Sequence, residues 1–387
     1  MADAQTYLGL LAEGSSGGPL ESAGDNRDRA VRAELVDRLE AEIDYMERLT
    51  QRRADPAARA ELLDQAGEAL ARLLSDGVGA DLTAREVEGL EAVIVADGSR
   101  PALFVNDDYI DLTAPSIGSF MAPLARLEPA VRRVCRGVGR VDDPAAPLGY
   151  QGTAWAVADG IVVTNYHVLT AIAPSGVRTG SRFDGRLAPG AAVHFGQEIN
   201  GGGADRRFPI RRVISVGRDG GAGWAGRAGM DLNFDGLDLA VLELEPVAGR
   251  AFPEPIPVAR GDDPRTRGAL SSKGRYVYLV GYPGGRGVHA PDVFDKLFDG
   301  ISSVKRLAPG RIMQAPGTVE HDPQGWVFTH DASTLGGNSG SVVVDLESDG
   351  QSALGLHFAG SPGRRNWAHA TEKITGVLEA VLPAAVR

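Results

Sequence analysis

The chain predicts a mainly β protein with a short helical region ahead of it, and three observations carry that prediction. Glycine accounts for 51 of the 387 residues, about 13% against a usual ~7%, which suits many short strands joined by tight turns. From about residue 100 onward the apolar residues fall in short runs parted by Gly, Pro and Asp, the pattern of a sandwich or barrel. Before that point they recur at three- and four-residue steps, the period of an amphipathic helix.

Taken in order, residues 1–26 read as a flexible tail, because 13–26 (EGSSGGPLESAGDN) are small, polar and glycine-rich. Residues 27–95 read as helices. Val31, Leu35, Leu39, Ile43, Met46 and Leu49 form one apolar stripe. Asp55-Pro56 has the form of an N-cap followed by Pro at the first helical position. Leu62, Leu63, Ala66, Leu70, Leu73 and Leu74 continue a second stripe that Gly77 and Gly79 end. Thr83-Ala-Arg-Glu86 has the form of a capping box and opens a third helix to about Val93. Residues 96–130 are a connector, and 131–387 carry the strands. Those expected are 102–105, 138–141, 160–164, 191–195, 210–216, 239–244, 276–280, 326–329, 342–344 and 353–358. A last helix near 371–382 presents Ile374, Val377, Leu378 and Val381 on one face.

Hydrophobic residues at 43% and charged residues at 24% exclude a wholly disordered chain. A net charge of -11 disfavours nucleic acid and anionic membranes as partners. The single cysteine, Cys135, excludes a disulfide framework and reads as a small buried hydrophobe. The first residues lack a basic, then apolar, export signal, and no stretch reaches the ~18 apolar residues of a membrane span. The cytoplasm is the expected location.

Three segments carry chemistry. His167 lies in GTAWAVADGIVVTNYHVLT, Asp238 in GLDLAVLELEP, and Ser339 in STLGGNSGSVVVD. A serine hydroxyl needs a base within ~2.6–3.2 Å to become a nucleophile, and that base needs a carboxylate to fix its tautomer. The order His, Asp, Ser belongs to one of the unrelated solutions to that problem. Gly337 and Gly340 flank the serine and permit a turn in which the N–H groups of Gly337 and Ser339 converge as an oxyanion hole. Asp231, Asn233, Asp235 and Gly236 look like the first half of a calcium loop, but the twelfth position is Leu242 where a bidentate Glu is needed. No metal or organic cofactor is expected.

With those residues in view, the chain resembles trypsin-like serine peptidases of the chymotrypsin fold, and within them the bacterial glutamyl endopeptidase, or V8-like, branch. TNYHV, DLAVLEL, VGYPGG (280–285), DASTLGGNSGS and GLHFAG (355–360) carry the likeness over about 131–387. It implies two six-stranded antiparallel β-barrels, with His167 as general base and acid, Asp238 as orienting carboxylate and Ser339 as nucleophile. It departs from the family where Ser341 is followed by Val342 instead of Pro, and where Ala154 replaces a Gly. The branch implies a specificity (S1) pocket lined by Thr334 and His357, whose hydroxyl and imidazole suit a Glu or Asp at P1. Asp331 lies near, but not at, the position of the acid in Arg/Lys-cutting relatives.

Segment 89–112 resembles the connector ahead of trypsin-like domains in bacterial conflict and antiphage-type systems. That implies a protease switched on by a partner through the N-terminal helices and acting on a protein effector, a gasdermin-like pore former being one kind. The alternatives are a non-catalytic peptide-binding or scaffold protein on the same fold, and an HtrA-like quality-control protease without a PDZ domain.

Overall fold

The computed structural model describes residues 4–14, 25–96, 101–201, 203–219, 233–260, 270–284, 297, 301, 303–334, 337–361 and 365–382. Two compact units emerge: residues 1–103 with 111–122 and 285–302, and residues 104–110 with 123–284 and 303–387.

The first unit is helical. Helices α1 (Ala4–Gly14), α2 (Asp25–Thr50), α3 (Pro56–Asp76) and α4 (Ala84–Ala96) each bury one stripe. Helix α1 corrects the expectation of a tail from residue 1. Ala4, Tyr7 and Leu11 share a face and are buried, a short stripe without a cap to announce it. Leu39 and Ile43 of α2 are fully buried, each contributing roughly 1.5–3 kcal/mol of transfer free energy. Asp55 caps α3 by accepting from the N–H groups of Ala57 (3.0 Å) and Ala58 (2.9 Å). Gly77 ends α3 at φ 58. The capping box forms as expected: Thr83 N–H donates to Glu86 Oε2 (2.7 Å) and Glu86 N–H to Thr83 Oγ1 (3.3 Å). The bond from Thr83 N–H, the Thr83 side chain and Arg72 at 2.7 Å hold the Glu86 carboxyl below its usual range. Gly89 lets α4 lie directly on α3, since a Cβ there would stand 2.6 Å from Ala66 N.

The second unit opens with a hairpin, β1 (Leu103–Asn106) and β2 (Tyr109–Ile110), followed by helices α5 (Met121–Arg126) and α6 (Glu128–Gly137). Helix α6 stands where the sequence suggests connector and strand lead-in; it buries Val131, Val134 and Cys135 instead. Strands β3 (Val138–Asp142), β4 (Tyr150–Ala158) and β5 (Ile161–Thr164) lead to the short helix α7 (Tyr166–Ile172) and a small hairpin, β6 (Val177–Thr179) and β7 (Arg182–Asp184). Strands β8 (Ala192–His194), β9 (Arg207–Val216) and β10 (Ala240–Leu244) complete a closed barrel in the order β10-β5-β4-β3-β8-β9. Its core holds Val162, Val193, Phe195, Phe208 and Leu242.

The second barrel is β11 (Tyr276–Gly281), β12 (Arg306–Gln314), β13 (Val327–His330), β14 (Val342–Asp345), β15 (Ala353–Ser361) and β16 (Arg365–Ala370), in the order β11-β14-β15-β16-β13-β12. Pairing of β11 with β12 closes it, and the β1–β2 hairpin extends it beyond β12. Helix α8 (Thr371–Val381) follows, burying Ile374 and Leu378 but leaving Val377 exposed. The fold is therefore two six-stranded antiparallel barrels preceded by a helical region.

A buried amine joins the barrels near the hairpin. Lys305 Nζ donates to Cys135 O (2.6 Å), Phe195 O (2.8 Å) and Glu198 Oε1 (3.2 Å). Burial lowers its pKa and Glu198 opposes that shift. Burial also pushes the Cys135 thiol up to about 12, so it is inert as a nucleophile at neutral pH.

Candidate active site

The first barrel delivers an imidazole and a carboxylate. β5 ends at Thr164, and buried Asn165 turns the chain into α7, whose second residue is His167. Asp238 stands two residues before β10, with buried Leu237 and Leu239 anchoring its backbone on either side. His167 claims both carboxylate oxygens: its Nδ1 lies 2.8 Å from Asp238 Oδ2, and its backbone N–H donates to Oδ1 at 3.0 Å. Asn165 Nδ2 donates to Asp238 O at 2.9 Å. An acceptor oxygen opposite Nδ1 places the imidazole proton there and makes Nε2 the unprotonated nitrogen. The Asp238 side chain is 3% exposed against 32% for His167, so the imidazole opens to solvent while the carboxylate does not.

The second barrel delivers the serine. Gly337 (φ 92) and Gly340 (φ 88) adopt left-handed backbone around it, which side chains rarely tolerate. Ser341 N–H donates to Asn338 O (2.9 Å), and Gly340 N–H to His357 O (2.9 Å). Thr153 of β4 ties this turn to the first barrel. Its N–H donates to Ser339 O at 2.8 Å and its Oγ1 to Gly337 O at 3.0 Å, while Oγ1 accepts from Tyr282 N–H at 3.1 Å. Gly152 measures how close the pieces come. A Cβ there would sit 2.7 Å from Val168, the neighbour of His167, and 2.9 Å from Ser339 O.

The two residues assigned to the specificity pocket stand in different clusters. Thr334 Oγ1 donates to Asn366 Oδ1, and Asn366 Nδ2 donates to Ala332 O at 2.8 Å. Gly360 faces the same pair, its would-be Cβ 3.1 Å from Thr334 Oγ1. His357 is buried with its Nδ1 3.3 Å from His330 Nε2. Burial, then His330 and His167, hold its pKa well below the usual histidine range. Among the described residues no hydrogen bond joins Thr334 to His357. Asp331 is committed elsewhere, Oδ1 accepting from Arg311 N–H at 2.6 Å.

Of the calcium-like string, Asp231 lies outside the described residues. Asn233 Oδ1 accepts from Asp235 N–H (3.0 Å), and Asp235 pairs with Arg218 (2.8 Å).

Sequence reasoning does not single out Asn165, His330, Asn366 or His369. His369 Nε2 accepts from Asp238 N–H at 3.1 Å. Three of the four, His330, Asn366 and His369, sit in strands of the second barrel. A cluster of histidines late in a chain with seven in total is the signal that could have found them.

Residues 152–355 match the trypsin-like peptidase domain family. A relative from Lysobacter enzymogenes described as "Probable serine protease" is 30% identical over 323 residues, spanning 81% of this chain and 79% of that one. Among solved structures, the inactive form of the Rv3671c protease is similar at 20% identity with a TM-score of 0.36, over 66% of this chain and 95% of that one. The active form from M. tuberculosis gives 20% and 0.37, over 68% and 88%.

Proposed function

This chain belongs to the trypsin-like serine peptidases, and on that premise we propose that it is an endopeptidase in which Ser339, His167 and Asp238 work as one unit through an acyl-enzyme. The observation that carries this reading is the double hold of His167 on Asp238, with the glycine-flanked turn of Ser339 bordering the same Gly152 as Val168.

Nε2 of His167 accepts the Ser339 Oγ proton while Oγ adds to the scissile carbonyl. The N–H groups of Gly337 and Ser339 stabilise the oxyanion; one such donor is worth about 2.7–4 kcal/mol. The imidazolium, steadied by Asp238, gives its proton to the leaving amine, and an ester remains on Oγ. Nε2 then deprotonates a water that cleaves the ester, releasing the acid and restoring the serine hydroxyl.

We assign the P1 preference to Glu or Asp. Thr334 carries a hydroxyl that would turn from Asn366 Oδ1 to the substrate, and His357 an imidazole that is neutral at rest. A substrate carboxylate beside it would favour the charged form, so binding would draw a proton into the pocket. Asp331 lies near, but not at, the position of the acid that Arg/Lys cutters need, and its Oδ1 accepts from the Arg311 backbone N–H.

The enzyme acts in this reading as a regulated cytoplasmic protease of a defence or stress pathway. The four-helix unit ahead of the barrels receives the activating partner, and the substrate is a protein effector, with gasdermin-like pore formers the first class to try. The likeness at 89–112 is what supports this part. A panel of fluorogenic peptides differing only at P1 tests the core of the reading. Cleavage after Glu, lost in Ser339→Ala, supports it; faster cleavage after Arg rejects the acidic preference. No cleavage and no labelling by serine-directed probes, under any activation, would favour the non-catalytic scaffold.

A further inference from the structure

The catalytic acid is held from behind by a second imidazole. Asp238 lies in the first barrel and His369 in β16 of the second, yet Asp238 N–H donates to His369 Nε2 at 3.1 Å. His369 is fully buried. Phe358 of β15 stacks on it at 4.3 Å with the planes 18° apart, and Trp326 meets it edge-on at 6.2 Å and 87°. That aromatic clamp leaves the ring little freedom to turn. As an acceptor at Nε2, the ring carries its proton on Nδ1, and Nδ1 has no hydrogen-bond partner among the described residues. An unsatisfied buried donor is destabilising. A purely packing position would be filled at less cost by Leu or Phe.

We infer that His369 is a positioning residue of the catalytic machinery: a neutral imidazole from the serine-bearing barrel that fixes the backbone of Asp238, and so sets the acid and base of one barrel in register with the nucleophile of the other. The inference rests on the triad reading above and adds to it a second tie between barrels. Thr153 secures the Ser339 end through Gly337 O and Ser339 O, and His369 secures the Asp238 end. His369 touches neither substrate nor the reacting atoms, so it acts through Asp238 alone.

The arrangement works only while His369 is uncharged. A proton on Nε2 would face the Asp238 N–H donor to donor and break the tie. Burial keeps the ring neutral, its pKa lowered from 6.5 to about 4, and Asp238 is the charged group that opposes this. The side chains packed on the ring, Phe358 from β15 and Trp326 beside β13, carry no charge.

The test compares His369→Gln, whose Oε1 can accept in place of Nε2, with His369→Leu, which fills the space without an acceptor. Active sites are counted by burst titration, so that misfolded protein drops out of kcat. The expected result is a fall of at least tenfold in kcat for the leucine variant with KM within threefold of wild type, and near-complete rescue by glutamine. Equal activity per titrated site in wild type and leucine variant overturns the inference, as does equal damage in both variants. If the leucine variant does not fold, the acid limb decides. The wild-type plot of log kcat/KM against pH should steepen from a slope of one to two below about pH 4, and the glutamine variant should keep a slope of one. Identical limbs overturn the inference. A wild type that cleaves nothing and takes no titrant would instead be a failure of the triad reading.

Discussion

The two barrels contribute to one site by opposite means. In the first, the functional groups are tied off: Asp238 Oδ1, Oδ2 and O all accept hydrogen bonds, from His167 and Asn165. In the second, two imidazoles are held neutral by burial: His357, whose O accepts from Gly340 N–H of the serine turn, and His369, whose Nε2 accepts from Asp238 N–H; both have lowered pKa values. Around the candidate site, the first barrel holds His167 and Asp238 in fixed hydrogen bonds, whereas the second places two buried imidazoles whose protonation pH or a ligand can change. Sensitivity to chemistry should therefore concentrate in the first barrel, and sensitivity to acid in the second.

The largest expected effect probes the fixed frame. Asp238→Asn keeps the shape but presents an amide to His167 Nδ1 and favours the wrong tautomer; kcat should fall by about 10⁴, measured per folded molecule. A loss below tenfold would break the contrast. Next comes the serine turn. Gly340→Ala forces a Cβ to within 2.0 Å of Thr153 O at φ 88, so the oxyanion donors shift and kcat should drop on the order of 100-fold.

The third prediction sharpens the role of stored protonation. If a P1 carboxylate recharges His357, KM for Glu substrates should rise by up to ~10-fold per pH unit above neutrality. KM for a matched Gln peptide should stay flat, and parallel profiles would remove His357 from specificity. The fourth concerns stability. His357 and His369 are neutral when folded but take up protons in the unfolded chain below about pH 6.5. The stability tied to their neutrality is complete above that pH and is lost as pH falls toward about 4 for His369. For His369 alone that is roughly 3 kcal/mol. Urea midpoints at pH 7.5, 6 and 4.5 should decline in that order, and His369→Gln should flatten the decline.

The smallest effect tests the tie between barrels. Thr153→Val removes the hydroxyl that joins Gly337 O to Tyr282 N–H, for about 1–2 kcal/mol of stability and a modest loss of kcat.

Some of this organisation is legible in the sequence because it is local. The capping box at Thr83–Glu86, the Asp55 cap, the strand leading to His167 and the strand Val342–Asp345 that follows Ser339 all come from residue type and spacing. Strand β12 escapes the pattern, because Pro309 and Gly310 interrupt it and both argue against a strand interior. Strand β16 (RNWAHA) hides its role behind polar residues that face an interior made by other strands. Helix α6 reads as connector because its arginines mask the Val131, Val134, Cys135 stripe. The triad candidates stand at motif positions, but the His369 contact spans 131 residues, and no periodicity reports a bond of that range.

The central claim is that Ser339 is a nucleophile activated by His167, and labelling by a fluorophosphonate tests it most directly. The account predicts one probe per folded wild-type molecule, attached at Ser339, with no labelling of Ser339→Ala and at least a hundredfold slower labelling of His167→Ala. Labelling at another residue, or at an undiminished rate without His167, would contradict it.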